Sequence, residues 1–223
     1  MYVINANTGE VVFDKNSRVG LATASTLKII TAATAYELLG KDFRYETKIG
    51  YEGKIKNGVL DGNLVLIGSG DPTFGSWRWE QTKENLIFKK IVDSIKKLRV
   101  KKIEDVWVVD NTNWNFETIP DGWIWQDIGN YYGAGAKKLN WRENQFDIFL
   151  KSGSKIGDSV KIVSYSPQYI DLNSELTSQA KGSGDNAYVY YGLNESGGTI
   201  RGTIPIEENA FKISAVNASG PHT

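Results

Sequence analysis

Ser25 and Lys28 stand three residues apart at the mouth of an apolar run, in "ASTLKIITAATAYELLG" (24–40). On a helix that spacing puts a hydroxyl and an amine on one face, with β-carbons roughly 5–6 Å apart, close enough for a hydrogen bond. The start of a helix also presents unpaired backbone N–H groups and a partial positive charge. Both stabilise an oxyanion growing on a carbonyl that the serine attacks. The same field, with desolvation by apolar neighbours, favours a neutral lysine, which can take the serine proton. The plainer alternative is a capping serine followed by a solvent-facing lysine, and spacing alone does not choose between the two.

The four-residue pattern recurs at Ser94–Lys97, Ser152–Lys155 and Ser178–Lys181. Context separates these pairs from the first. Ser94 lies within a basic helical run, Ser152 in the loop-like "KSGSKIGDS", and Ser178 in a polar stretch without helical periodicity. Only Ser25 opens an apolar helix that follows a predicted hairpin.

Composition removes most other chemistries. There is no cysteine, which excludes disulfides, thiolate zinc sites and cysteine nucleophiles. The single histidine, His222, is the penultimate residue, so a Ser-His-Asp triad would need a fraying terminus inside the core. A histidine-rich metal cluster is impossible, and no metal or cofactor is expected. The base for any nucleophilic chemistry comes from Lys, Asp, Glu or Tyr. Lys+Arg and Asp+Glu both number 26, giving zero net charge. The basic excess of a nucleic-acid or membrane-surface binder is missing, so no nucleic-acid partner is expected. No window approaches the about 18 apolar residues of a transmembrane helix. Residues 1–20 show no basic start followed by an apolar block, so no signal peptide is read there.

The elements that must position the pair follow from patterning in the 223 residues, of which 40% are hydrophobic and 23% charged, ordinary globular usage. Residues 2–13 read as a hairpin turning at Asn7-Thr8-Gly9. Residues 25–39 read as a helix, apolar nearly all round and so buried on most sides, with Gly40 in a left-handed C-terminal cap. Residues 43–67 read as short strands with hairpin signals at Asn57-Gly58 and Asp61-Gly62. Residues 84–98 form an amphipathic helix with Ile87, Ile91, Ile95 and Leu98 on one stripe. "VWVVD" (106–110), "FDIFL", "SVKIVSY", "AYVYYG", "TIRGTIP" and "FKISAV" are strand-like. All seven tryptophans fall between Trp77 and Trp141, either as anchors of a small β-rich core or as a wall for a sugar or peptide ligand.

"LATASTLKIITAATAYELLGKDFRYETKI" (21–49) resembles the active-site helix of the penicillin-binding proteins, and more narrowly of the class C low-molecular-mass group, the D-Ala-D-Ala carboxypeptidases and endopeptidases. "NGVLDGNLVLIGSGDPTF", "VKKIEDVWVVDNTNW", "DGWIWQDIGNYYGAGAKKLNWRENQF" and "GTIP" follow that group's order of segments, so the resemblance covers nearly the whole chain. It implies an α+β fold. Residues 1–42 would be the hairpin and active-site helix of a penicillin-binding-protein/β-lactamase-like transpeptidase domain. Residues 43–205 would be a large inserted β-rich domain, and 206–223 a return segment. It implies that Ser25 is the acylated nucleophile and Lys28 its general base, that peptidoglycan stem peptides and β-lactams are the partners, and that the protein works in the periplasm or cell envelope.

On the substrate side, the resemblance puts Asp110 against the diaminopimelate side chain of the stem peptide, where a carboxylate suits a cationic amine. The alternative for Asp110 is capping of the loop that follows it. Trp114 packs either against the stem or into the core. Asp71 is read as a turn residue before Pro72. The chain carries no Ser-x-Asn and no Lys-Thr-Gly, the group's two further motifs; Lys181-Gly182-Ser183 is a poor match in a loop. This portion of the protein is therefore expected to show little activity alone. The rival readings are a non-catalytic peptidoglycan-binding module and a β-lactamase.

Overall fold

The computed structural model describes residues 1–104, 107–110 (backbone only), 117–167, 171–191 and 197–216. The chain divides into two compact units, Met1–Arg44 and Tyr45–Thr223.

In the first unit, β1 (Tyr2–Ile4) and β2 (Val11–Asp14) pair antiparallel, as the pattern predicts. Asn5 sets the turn: its Oδ1 accepts the N–H of Asn7 at 2.9 Å and of Thr8 at 3.3 Å. A single 3-10 turn, Ala24–Thr26, then runs into α1 (Leu27–Leu39). Gly40 ends α1 at φ 80°, a conformation glycine adopts without steric cost, and its N–H reaches Tyr36 O at 2.9 Å. No residue of α1 is buried; Ile29 is 71% and Leu38 79% exposed. The helix is expected to be buried on most sides, but residues 1–44 hold only one two-stranded hairpin and this helix. That is too little surface to cover an all-round apolar cylinder.

The second unit opens with β3 (Lys48–Tyr51), β4 (Lys54–Lys56), β5 (Val59–Asp61) and β6 (Leu64–Ile67). After these come α2 (Glu84–Lys97), β7 (Lys102–Ile103) and β8 (Trp107–Asp110). Asn57 and Gly58 both have positive φ, 51° and 83°, giving the two-residue hairpin expected between β4 and β5. Asp61-Gly62 does not make the second hairpin. Strand β5 pairs with β4 and β7, whereas β6 pairs with β3 and β8. The chain therefore crosses from one sheet to the next at Gly62, which lies against Gly53. A β-carbon on Gly62 would sit 2.1 Å from Glu52 O, and one on Gly53 2.1 Å from Asp61 O. A small core forms here from Leu60, Leu64 and Val100, with Ile49, Ile55, Ile95 and Ile103 packed on it. Of the predicted stripe on α2, Ile91 is buried, while Leu98 is 47% exposed.

The short helix α3 (Trp125–Ile128) leads to β9 (Gln145–Lys151), β10 (Lys161–Ser166), β11 (Asp171–Gln179), β12 (Asn186–Tyr191), β13 (Gly197–Pro205) and β14 (Phe211–Val216). Two three-stranded sheets result, in the orders β10-β9-β14 and β11-β13-β12. Their inward positions share one core, including Ile148 and Ile213 from the first sheet and Leu176, Val189 and Ile200 from the second. Within the segment 206–223, Phe211–Val216 pairs with β9 from Phe211↔Leu150 to Val216↔Gln145, with Ile213 and Ala215 alternating into this core.

Just before β9, three successive non-glycine residues, Arg142, Glu143 and Asn144, have φ of 54°, 56° and 55°. A left-handed turn of L-residues costs about 1–2 kcal/mol per residue, so the side chains must offset it. Asn144 donates to Gly135 O at 3.0 Å and to Asn140 Oδ1 at 2.8 Å. Glu143 accepts from Ser76 Oγ at 2.6 Å and Arg78 Nε at 2.8 Å. Arg142 donates to Glu84 at 2.6 Å. Trp141 packs on Phe74 and Phe88 with ring centroids 5.3 and 5.1 Å away. Trp77, Trp79, Trp123 and Trp125 stay exposed, so this aromatic region is only in part a core.

Candidate active site

The local chain brings the serine and lysine together. Ala24 has φ 45°, a left-handed conformation that alanine adopts only under constraint. It turns the backbone sharply just before Ser25. The single 3-10 turn then places Ser25 at the foot of α1. Thr26 is fixed by two bonds to one carbonyl: its N–H donates to Thr23 O at 3.1 Å, and its Oγ1 donates to the same oxygen. Lys28, in the first turn of α1, donates from Nζ to Ser25 Oγ at 3.1 Å.

No side chain caps the start of the 3-10 turn or of α1, and neither first turn holds an acidic residue. Ser25 therefore does not act as the cap that the plainer alternative assigned to it. The positive end of the helix is left without a carboxylate to neutralise it. Ser25 and Lys28 are both exposed, so the apolar enclosure expected around the lysine is not formed by the first unit itself.

The other Ser-x-x-Lys pairs are built differently. Ser94 Oγ donates to Lys90 O at 2.8 Å within α2. Ser152 is buried, and its Oγ accepts the Glu208 N–H at 2.9 Å. Ser178 is 2% exposed, accepts the Gly153 N–H at 3.0 Å, and Lys181 reaches Glu207 at 3.3 Å. Among the described residues only Ser25 is bonded to its own lysine.

Asp110 ends β8, opposite Ile67 in the parallel register. It belongs to the second unit, and Ser25 and Lys28 to the first. Trp114 lies outside the described residues. Asp71 is the turn residue expected: its Oδ1 accepts the Thr73 N–H at 2.8 Å and Oγ1 at 2.7 Å. Sequence reasoning missed the left-handed turn at Arg142–Asn144 and the charged cleft beside it. Arginine and glutamate carry no signal for left-handed backbone, and only Asn144 is a residue type enriched there.

The sequence profile of the D-Ala-D-Ala carboxypeptidase 3 (S13) family matches residues 1–220. The chain belongs to that family. Among S13 relatives, the D-alanyl-D-alanine carboxypeptidase DacB of Haemophilus influenzae is 32% identical over 158 residues, 71% of this chain and 31% of that protein. The D-alanyl-D-alanine carboxypeptidase of Actinomadura sp. is 22% identical over 220 residues, 92% of this chain and 38% of that protein. The crystal structure of penicillin binding protein 4 (dacB) from Haemophilus influenzae superposes with a TM-score of 0.72 at 24% identity, over 96% of this chain and 46% of that one. A second crystal structure of that protein holds a β-lactam, and matches with a TM-score of 0.64. The α+β penicillin-binding-protein fold read from the sequence is therefore the fold of this S13 chain, which spans about a third of the length of its curated relatives. Among the described residues no helix is long and apolar enough to cross a membrane.

Proposed function

We propose that this chain carries the nucleophile of a serine-type D-Ala-D-Ala carboxypeptidase or endopeptidase acting on peptidoglycan stem peptides. The observation that carries the reading is the 3.1 Å contact between Lys28 Nζ and Ser25 Oγ at an uncapped helix start. Ser25 Oγ attacks the carbonyl of the penultimate D-alanine, and Lys28 accepts the hydroxyl proton. The negative charge on the carbonyl oxygen is met in part by backbone N–H groups at the foot of α1. Collapse of the tetrahedral intermediate expels the terminal D-alanine, whose amine takes the proton from Lys28 and leaves an acyl-enzyme. Water, deprotonated by the same lysine, then releases the shortened peptide. A β-lactam enters by the same first step and stays on Ser25.

On this reading residues 1–42 belong to a transpeptidase-like domain and the strands after them to an insertion, and the protein works outside the cytoplasmic membrane. Asp110 and Trp114 are proposed contacts for the stem peptide. The exposed Trp77, Trp79, Trp123 and Trp125 favour a second reading, a peptidoglycan-binding module in which Ser25 has no chemical role.

A fluorescent penicillin decides between the two. The longest natural form of the protein is expected to be labelled stoichiometrically, with the adduct on Ser25 by peptide mass mapping and none in Ser25→Ala. The 223-residue chain alone is expected to label poorly. Equal labelling of the wild type and Ser25→Ala defeats the enzymatic reading. Turnover of nitrocefin would move it to a β-lactamase.

A further inference from the structure

A cleft of about 820 Å³ in the second unit lies beside the left-handed turn, between the residues at the start of α2 and the β9–β14 edge. Its volume falls in the range of small-ligand sites. Trp77 and Tyr131 stand in its lining with 46% and 57% of their surface exposed. Exposed aromatics on a concave wall mark a place where a ligand packs.

The charges of the cleft fall into two groups. Most are neutralised internally: Arg142 holds Glu84 at 2.6 Å, Lys83 pairs with Glu80, and Asp147 takes Lys212 Nζ at 2.9 Å and Ser214 Oγ at 2.8 Å. Two groups keep capacity for a ligand. Asp185 accepts only the Ala187 N–H, at 3.0 Å, and pairs with no cation among the described residues. Arg78 uses Nε for Glu143 and lies over Trp77 at 5.8 Å from the ring centroid. Its two Nη groups take no partner among the described residues. Burial of Ser76 and the left-handed backbone of Glu143 hold that guanidinium in place from behind. The turn therefore presents the free Nη edge of a guanidinium anchored on Glu143, in a cleft that also holds a carboxylate with no cation among the described residues.

We propose that this cleft, lined wholly by residues of the second unit, is a second peptide site that takes a dipolar stem peptide: a carboxylate on Arg78, an amine on Asp185, and the chain against Trp77 and Tyr131. The identity of the peptide rests on the function proposed above; the site itself does not. A charged, bidentate contact of this kind contributes more than a neutral one and supplies direction along the peptide. A glycan chain would stack on the same aromatics, but it would make no use of the opposed charges.

The test uses the full 223-residue chain as Ser25→Ala, so that acylation plays no part. Calorimetric titration with a soluble stem peptide, carrying a diamino acid at its third position and D-Ala at its end, is expected to show one saturable site. Arg78→Ala and Asp185→Asn are each expected to weaken it about tenfold, a loss typical of one charged hydrogen bond. Acetylating the side-chain amine of the peptide should remove the effect of Asp185→Asn while leaving that of Arg78→Ala. Far-ultraviolet circular dichroism of both variants checks the fold, and Arg78→Lys, which keeps the charge without the fork, should recover part of the affinity. The proposal is overturned if the peptide does not saturate the chain by about 1 mM, if neither substitution matters, or if a peptide-free disaccharide competes as well as the peptide. Failure here with intact penicillin labelling of Ser25 removes the second site alone. Binding here without such labelling removes the enzymatic reading alone.

Discussion

Replacing Glu143 separates backbone strain from side-chain bonding, because both act at this one residue. Its carboxylate accepts from Ser76 Oγ at 2.6 Å and Arg78 Nε at 2.8 Å, and its φ is 56°. Ser76 is 0% exposed, so Glu143→Ala leaves its buried hydroxyl with no acceptor, though Oγ still accepts the Arg78 N–H at 3.2 Å, at a cost of about 1–3 kcal/mol. Arg78 is half exposed, so water replaces most of its lost partner, at less than about 1 kcal/mol. The alanine variant should therefore lose about 2–3 kcal/mol. For a unit of this size that is a Tm lower by about 4–12 °C. Glu143→Gly loses the same bonds but relieves the left-handed strain, and should recover about 1 kcal/mol relative to alanine. Glu143→Gln keeps an acceptor for Ser76 and should lose only about 1 kcal/mol. Thermal melts followed by near-ultraviolet circular dichroism, which reports the nearby tryptophans, give the order. Stability should fall from wild type through Gln and Gly to Ala. Glycine below alanine, the usual order in regular structure, would refute the left-handed turn and the fixed guanidinium that depends on it.

Three further outcomes are expected. Lys28→Ala in the longest natural form should slow penicillin acylation by about 10²–10⁴, the usual contribution of a general base, without changing the melt. A stopped-flow acylation trace that matches wild type would remove the lysine from the mechanism. Gly129→Ala puts a β-carbon 1.9 Å from Val189 O at a fully buried strand and should cost about 3 kcal/mol or more. Gly157→Ala, with open space around it and only a φ of 89° to resist it, should cost about 1 kcal/mol, and urea titration of both variants measures the difference. Finally, burial, with help from a hydrogen bond to Asp127, pushes the Tyr132 hydroxyl up to about 12. Because that value is raised above the unfolded one, its contribution to stability is complete below about pH 10 and is lost as pH rises through about 12. Tyr132→Phe should flatten that alkaline limb, and an unchanged limb would discount the shift.

Much of this architecture was legible where local signals act alone. The Asn57-Gly58 turn, the Gly40 cap and the one-turn spacing of Ser25 and Lys28 each follow from residue type and helix geometry. The strands with alternating apolar residues, such as Phe146-Asp147-Ile148, were equally plain. Asp61-Gly62 misled because the same dipeptide serves a hairpin or a sheet crossing, and only the contact with Gly53 decides which. Strand β11 carries no clear apolar alternation in sequence, because its inward positions are Leu172, Ser174, Leu176 and Ser178. The two serines look polar in sequence but are satisfied locally, Ser174 by Val160 O and Ser178 by the Gly153 N–H. At the candidate site the pair was readable and its surroundings were not. The solvation of α1 depends on what packs against it, which no pattern in residues 24–40 specifies. The cleft at Arg78 and Asp185 joins residues more than a hundred positions apart, beyond any window of periodicity.

The pairing of β9 with β14 sets an order of assembly. Strand β9 is the middle strand of its sheet, and its second neighbour is the last strand of the described chain. Strand β11 likewise waits for β13, since its parallel register from Asp171↔Gly197 to Gln179↔Pro205 cannot form by a tight turn. During synthesis the second sheet must therefore stay open until the chain through residue 205 has left the ribosome, and the first until residue 216, and each closure joins distant segments. Long-range closure of this kind is slow and exposes strand edges meanwhile. Shortening the chain before β14 should thus yield aggregates, while lengthening the Gly182–Gly184 loop tip should leave folding rates nearly unchanged.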